Sequence, residues 1–559
     1  MISRTGSFMI WLSAFAVIAV LTTLVWSAVA SATDGGFAYI LDDPYIHMAM
    51  ARNLAESAVW GVTRYEFSGA SSSMVWIGLL AFAETALPRI DLVPLFLNLT
   101  LAAVFIAVAQ HYLQKRIDSP FKLLAILIAI VISTPAITLI FLGMEHLLQS
   151  VLAVIFVFHA ARYVAREDSS TNHIATLVVL AAFTTAVRYE GLFQIAAVGL
   201  FLVLRKRFVV AALIGVAGIL TPVLYGLYSV SQGWPALPTP ILMKGSLSAL
   251  LDLQSPGDVL AGLEYIVREK YVKHIHMPIL IVFAAVAYWR NRRDGVGPFA
   301  LPQVLLGLYL LIAIQHVHLA GLGWYFRYEA YLVALGGILI ARHCFGKDGD
   351  GPIDSDAARF AATGESRPAS KFWKTNWKRR LLAAVLLVCA IRLVFSMGWR
   401  AFVSVAGLPG SAREIYTQQI QSARFFQRYY TGQKVAANDI GAINYYSDIQ
   451  CVDLFGLASH EVARLRKTKN FTTAAIDALT KREGVRIAIV YDEWFERAGG
   501  LPTHWRKAGE WTIPERTTVA QDTVSIYAVT EDYDVLVKRL REFGASMPKE
   551  IVQNVPYRP

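Results

Sequence analysis

Cysteine is nearly absent from this chain: Cys344, Cys389 and Cys451 are the only three in 559 residues. They are too few and too scattered for a disulfide framework or a cysteine zinc site. Charge is scarce as well, at 17% of residues, while 55% are hydrophobic and mean hydropathy is +0.46. That balance describes an integral membrane protein. No internal repeat at a solenoid period is visible. The C-terminal part carries neither a Gly-rich phosphate loop nor a Ser-His-Asp pattern. The net charge of +11 does not point to nucleic acid, because the excess Lys and Arg fall in short loops between apolar runs, where they set orientation in a membrane.

What the chain does have is a succession of apolar runs. The first, 8–32, ends on Ala28-Val29-Ala30-Ser31-Ala32, which resembles a signal-peptidase site. It exceeds the roughly 7–15 residues of a signal core and reads as an anchor, with cleavage as the alternative. Runs at 93–113, 121–142, 147–165, 208–229, 299–317 and 381–399 can each cross about 30 Å of hydrocarbon. Shorter ones lie at 174–187, 192–204, 277–290 and 328–342, and 73–88 reads as a non-crossing helix. Lys115-Arg116, Arg162 with Arg166, Arg205-Lys206-Arg207, Arg290 to Arg293 and the stretch from Lys371 to Arg380 are expected on the cytoplasmic side together with Arg4. That parity gives about eleven spans with the N-terminus inside and the C-terminus outside.

The mixed polar stretch 344–380 reads as a cytoplasmic linker. Its Asp348-Gly349-Asp350 resembles the Asp-x-Asp of nucleotide-sugar enzymes but has no strand–turn–helix context. Beyond residue 400 the composition becomes that of a small α/β domain. Arg413–Tyr430 is expected as an amphipathic helix, and Lys434–Ala437, Cys451–Leu454 and Val485–Tyr491 as short buried strands. One or two strands are expected in Thr518–Val529 and a last helix in Tyr533–Phe543.

The polar residues that this topology places outside form a set. Asp42 and Asp43 open a helix with Pro44 in its first turn and a stripe of Ile46, Met50 and Leu54, expected to lie on the membrane surface. Either Asp could simply cap that helix. Ser71-Ser72-Ser73 precedes Trp76, Glu145 and His146 lie in the next outer loop, and Arg188 and Glu190 turn a hairpin. Lys244 sits in a long fourth loop and Arg327 in the fifth. Carboxylates can abstract a proton or hold a metal, and Lys and Arg can hold a phosphate.

Together, Asp42-Asp43-Pro44-Tyr45 with Ala51-Arg52-Asn53-Leu54-Ala55, the serines before Trp76, Gly143-Met144-Glu145-His146 and Arg188-Tyr189-Glu190-Gly191 resemble the GT-C superfamily of membrane glycosyltransferases. Within it, the likeness is to the bacterial branch containing terminal arabinofuranosyltransferases. Arg327-Tyr328, Asn438-Asp439-Ile440-Gly441 and Val452-Asp453-Leu454-Phe455-Gly456 extend it along the whole chain. Tyr189 departs from the Pro that relatives often carry.

The resemblance implies a GT-C-like catalytic domain of about eleven transmembrane helices over 1–400 and an extracytoplasmic soluble α/β domain over 401–559. It implies inverting transfer of a sugar from a polyprenyl-phosphate donor to a glycan, lipid or protein acceptor at the outer face of the bacterial inner membrane. Asp42 is the implied base, with Asp43 orienting it or binding a metal. Arg327, Lys244 and Arg188 are the implied phosphate ligands, and Glu145, His146 and Glu190 the acceptor or metal residues. Some relatives need a divalent cation and others do not, so a metal is left open. The competing class is a transporter or flippase of lipid-linked sugars, which calls for polar residues at mid-membrane and paired broken helices.

Overall fold

The computed structural model describes residues 2–86, 91–165, 170–244, 264, 266–346 and 377–558. Helices occupy the described part of each apolar run of the sequence. Six helices are long and apolar enough to cross a membrane among the described residues: Arg4–Ala32, Val93–Leu113, His146–Ala165, Phe208–Ser231, Leu301–Leu319 and the run Arg380–Tyr429. Pro120–Ser133 and Ala136–Leu142 form an apolar pair bent by 42°, a seventh span if the two are taken as one, and Pro135 interrupts the helical hydrogen bonds at the bend. Thr171–Val187, Gly191–Leu204 and Ala330–Phe345 are apolar but shorter, and His276–Arg293 ends on three arginines. The Met74–Ala86 helix is shorter still.

His146–Ala165 runs through the middle of the bundle, against the helices at 93–113, 171–187, 301–319 and 330–345. Outer helices turn bare apolar faces outward, as Leu387, Ile391 and Val394 do. A solvent of lipid accepts such a face; water would not.

The two ends of the bundle differ in charge. At one end Ser7 donates to Gln114 at 2.7 Å, Arg342 donates to the Tyr112 carbonyl at 3.2 Å, and Arg162 lies over the Tyr112 ring. The N-terminus and these basic residues therefore share an end. Asp42, Glu145, Arg188, Arg327 and Arg400 gather at the other. The loop over 347–376, with Asp348-Gly349-Asp350, lies outside the described residues.

The composition break near residue 400 is not a structural break. Trp377–Ala406 leads through Leu408–Ile415 and the π-helical turn Tyr416–Ile420 into Gln421–Tyr429, so one helical run leaves the bundle and enters the C-terminal unit. There β1 (Lys434–Ala437), β2 (Gln450–Asp453), β3 (Ile487–Val490), β4 (Arg506–Thr512), β5 (Thr523–Ala528) and β6 (Val552–Asn554) form one sheet in the order β2-β1-β3-β5-β4-β6. β1 pairs in parallel with β2 and β3, and the remaining pairings are antiparallel. The connection after β1 therefore runs to one side of it to reach β2, and the connection after β2 crosses back to the other side to reach β3. Open α/β sheets bind ligands outside the carboxyl ends of strands at such a switch point.

The Asp43–Ser57 helix departs from expectation. Its sequence stripe suggested a surface helix, yet Tyr45 through Ala51 are all buried. It is sandwiched between Met74–Ala86 and the short Gly441–Tyr446 helix that follows β1. Arg52 donates to the carbonyls of Asn444 and Tyr445, at the end of that short helix where backbone acceptors lack partners. The hydroxyls of Tyr445 and Tyr446 reach both carboxylate oxygens of Asp91, at 3.0 and 2.6 Å. Hydrogen bonds to a charged group contribute about 1.5–3 kcal/mol each, so these contacts seat the sheet firmly on the bundle.

Candidate active site

Asp42 stands at the N-cap position of its helix, but its carboxylate caps nothing there. It accepts instead from the backbone N–H of Gly441 at 2.6 Å and of Ala442 at 2.8 Å. The approach is close enough to require glycine: a Cβ on Gly441 would lie 2.1 Å from the Asp42 carbonyl oxygen. Burial raises the Asp42 pKa from an ordinary 3.8 to about 7, and the neighbouring Asp439 pushes the same way against the two N–H donors. A carboxyl tuned near neutrality is suited to general-base work. Asp439 is held in turn by Gln419 at 3.0 Å and the Tyr491 hydroxyl at 2.9 Å.

Asp43 meets different company. Its carboxylate is ion-paired with Arg327, which also donates to the Tyr328 hydroxyl at 3.0 Å and lies against the Met144 sulfur. The guanidinium is almost wholly buried, and the Tyr328 ring flanks it at 4.9 Å.

Between the end of the bundle that carries Asp42 and the C-terminal sheet lies a cavity of about 300 Å³. The bundle lines it with Asp42, Asp43, Trp324 and Tyr328. The sheet unit contributes Asn438 and Asp439 after β1, Phe455 and Leu457 after β2, and Trp494 after β3. These are the carboxyl ends of the three parallel strands, at the switch point. Two carboxylates on one wall, a third opposite and two indole rings make a polar site with apolar floors, suited to a small polar ligand.

The remaining candidates form an adjoining buried cluster that does not line the cavity. Arg188 grips Glu190 with two bonds, at 3.0 and 2.7 Å, and donates to Glu145 at 2.6 Å and His146 at 3.2 Å. His47 places Nδ1 3.6 Å from Glu145 and Nε2 3.2 Å from the Ser71 hydroxyl. Burial holds His47 below the usual imidazole range, against the pull of Glu145. Arg188 and His146 both approach the Tyr328 ring, which separates this cluster from Asp43. Glu145, His146 and Glu190 are arranged as an ion-pair network around Arg188 and, among the described residues, do not gather as a group of possible metal ligands. Asp43 belongs to no such group either. Lys244 ends the Thr239–Lys244 helix, and its side chain lies outside the described residues.

The structure thus brings Asp42, Asp43 and Arg327 together and places Arg188, Glu145, His146 and Glu190 beside them. Sequence reasoning assigned no role to Asp439, Gln419, Tyr491, Trp324 or Trp494. Asn438-Asp439-Ile440-Gly441 was visible as a motif; that it closes over Asp42 was not, because the two are some four hundred residues apart.

Residues 413–527, inside the C-terminal unit, match a family described only as a domain of unknown function, DUF8728. No curated protein matches the chain. Among solved structures the chain is similar to ArnT from Cupriavidus metallidurans bound to undecaprenyl phosphate, at 11% identity over 92% of this chain and 98% of that one, with a TM-score of 0.48.

Proposed function

We propose that this protein is an inverting glycosyltransferase that moves a sugar from a polyprenyl-phosphate carrier to an acceptor hydroxyl outside the cytoplasmic membrane. The observation that carries the reading is the division of labour between adjacent carboxylates at one cavity: Asp42 is desolvated and raised to about 7, whereas Asp43 is tied to Arg327. Pairs of acids with such different environments are how one site sets a base apart from a structural acid.

In the proposed reaction the acceptor oxygen attacks the anomeric carbon as its proton passes to the Asp42 carboxylate. The bond from that carbon to the phosphate oxygen breaks on the opposite face, and the leaving lipid phosphate takes the electron pair. Arg327 is the cation nearest Asp43 and the one that meets the developing phosphate charge. Arg188 is already neutralised by two carboxylates and serves as a positioning residue for Glu145 and Tyr328. Trp324 and Trp494 offer flat apolar faces to a sugar ring. Transport of a lipid-linked sugar is the poorer reading, because the charged groups named here sit at one end of the bundle, whereas a transporter places its polar site at the midplane.

The test is glycosyl transfer by detergent-purified protein supplied with a polyprenyl-phosphate sugar. Asp42→Asn should remove turnover while leaving donor binding; near-parental turnover by that variant would refute the assignment.

A further inference from the structure

Three buried side chains with no part in that chemistry converge below the Gly323–Phe326 turn. They are His274, just before the His276–Arg293 helix; His276, its first residue; and Glu329, at the start of Ala330–Phe345. One donor atom from each lies within 4.8 Å of the others. Nε2 of His276 is 3.4 Å from Oε1 of Glu329. That is long for a hydrogen bond but close to the roughly 3.3 Å edge between two ligands held at about 2.0–2.1 Å around a tetrahedral ion. Nε2 of His276 and Nδ1 of His274 have no hydrogen-bond partner among the described residues, and buried imidazole nitrogens rarely stay that way. The other groups facing the cluster are Arg400, which donates to Oε1 of Glu329 at 3.1 Å, and the Gly323 N–H, which donates to Oε2 at 2.9 Å. The Glu329 oxygen that faces His276 is thus also the one that accepts from Arg400, and a carboxylate oxygen has two lone pairs to share.

The turn above is strained. Gly323, Trp324, Tyr325 and Phe326 have φ of 78°, 48°, 59° and 56°, a left-handed run that costs non-glycine residues about 1–2 kcal/mol each. Such a conformation persists only where its surroundings over-determine it. The His274 ring packs directly beneath, where a Cβ on Gly323 would meet Cε1 at 2.6 Å.

We propose that His274, His276 and Glu329 bind a divalent transition-metal ion, zinc by the chemistry of two imidazoles and a carboxylate, which staples two helix ends to the strained turn carrying Trp324 and Arg327. The proposal does not depend on glycosyl transfer. Its test is metal analysis of the full chain in detergent, equilibrated with zinc chloride and desalted. The expected result is about one zinc per chain, lost in His274→Ala and His276→Ala and kept in His318→Ala. Cobalt in place of zinc should give the intense visible bands of a four-coordinate site, absent in His276→Ala. A chelator should lower the Tm of the parent and leave that of His276→Ala unmoved. A parent protein that retains no stoichiometric ion and shows no cobalt bands overturns the site, whatever the folding of the variants. A chelator that leaves the parent Tm unchanged overturns the staple.

Discussion

At the scale of single residues, the partners of Asp42 change what a substitution there means. Had Asp42 capped its own helix, asparagine would have been a neutral replacement. Its carboxylate instead takes two backbone N–H groups at once. An amide can accept from one and must turn its own NH₂ toward the other. Asp42→Asn should therefore lower the rate by about 10²–10⁴ through loss of the base and also lower stability by about 1–3 kcal/mol through one unsatisfied donor, read separately in single-turnover assays and thermal unfolding. The raised pKa fixes the pH dependence. Only the ionised form takes a proton, so kcat/KM should rise with pH to a plateau above about 7, with an acidic limb that Asp42 sets. Stability runs the other way. A folded pKa above the unfolded one favours the folded state fully below about 4, and this contribution is lost as pH rises through about 7. Unfolding midpoints of the parent should fall across that window, and the slope should flatten in Asp42→Asn. For Arg327→Ala, loss of a charge-assisted contact of about 1.5–3 kcal/mol should raise the apparent KM for the lipid donor some ten- to hundredfold. Lys244→Ala should have a milder effect in the same direction. Unchanged donor kinetics in both variants would place the phosphate elsewhere.

At the scale of elements, the notable pairing is between the Asp43–Ser57 helix and the Gly441–Tyr446 helix. The former presents Asp42 to the N-terminal N–H groups of the latter and Arg52 to its last carbonyls. Opposite charges at opposite helix ends each complement the backbone dipole. A six-residue helix has little stability of its own, so this clamp is what holds its geometry. Gly441→Ala should break the clamp without touching either charge, since the added methyl would collide with Asp42. The expected outcome is faster proteolysis of the C-terminal unit and reduced transfer, with the transmembrane part intact on limited digestion. Resistance equal to the parent would show that Asp91 and its two tyrosines suffice to hold the sheet in place.

At the scale of the whole molecule, charge separates the two ends of the bundle. Because Ser7, Tyr112, Arg162 and Arg342 share one end, the positive-inside rule predicts that this end faces the cytoplasm and that the cavity faces outside. A C-terminal alkaline phosphatase fusion should then be active and a fluorescent-protein fusion at the same place dark. The opposite pattern would invert the topology and remove the proposed site from the compartment of its substrates.

The amino-acid sequence alone determined where the long apolar helices lie, because twenty-odd apolar residues have few other fates, and it marked the acidic pair and the loops bearing its neighbours. β1, β2 and β3 were legible as short apolar runs between turn residues. β4 was not: Arg506 to Thr512 is largely polar with no clean alternation, and its register is broken between Lys507 and Gly509. β6 is three residues that are strand only because β4 lies beside them. The burial of the Asp43–Ser57 helix escaped local reading, since its Arg52 is satisfied by a segment nearly four hundred positions away. The same holds for Asp439 above Asp42, for the pairing of Arg327 with Asp43, and for the meeting of His274, His276 and Glu329. Local periodicity reports what a segment buries; only the tertiary fold decides which charges face one another, because ion pairs and hydrogen bonds act at contact distance and contact between distant segments is set by packing.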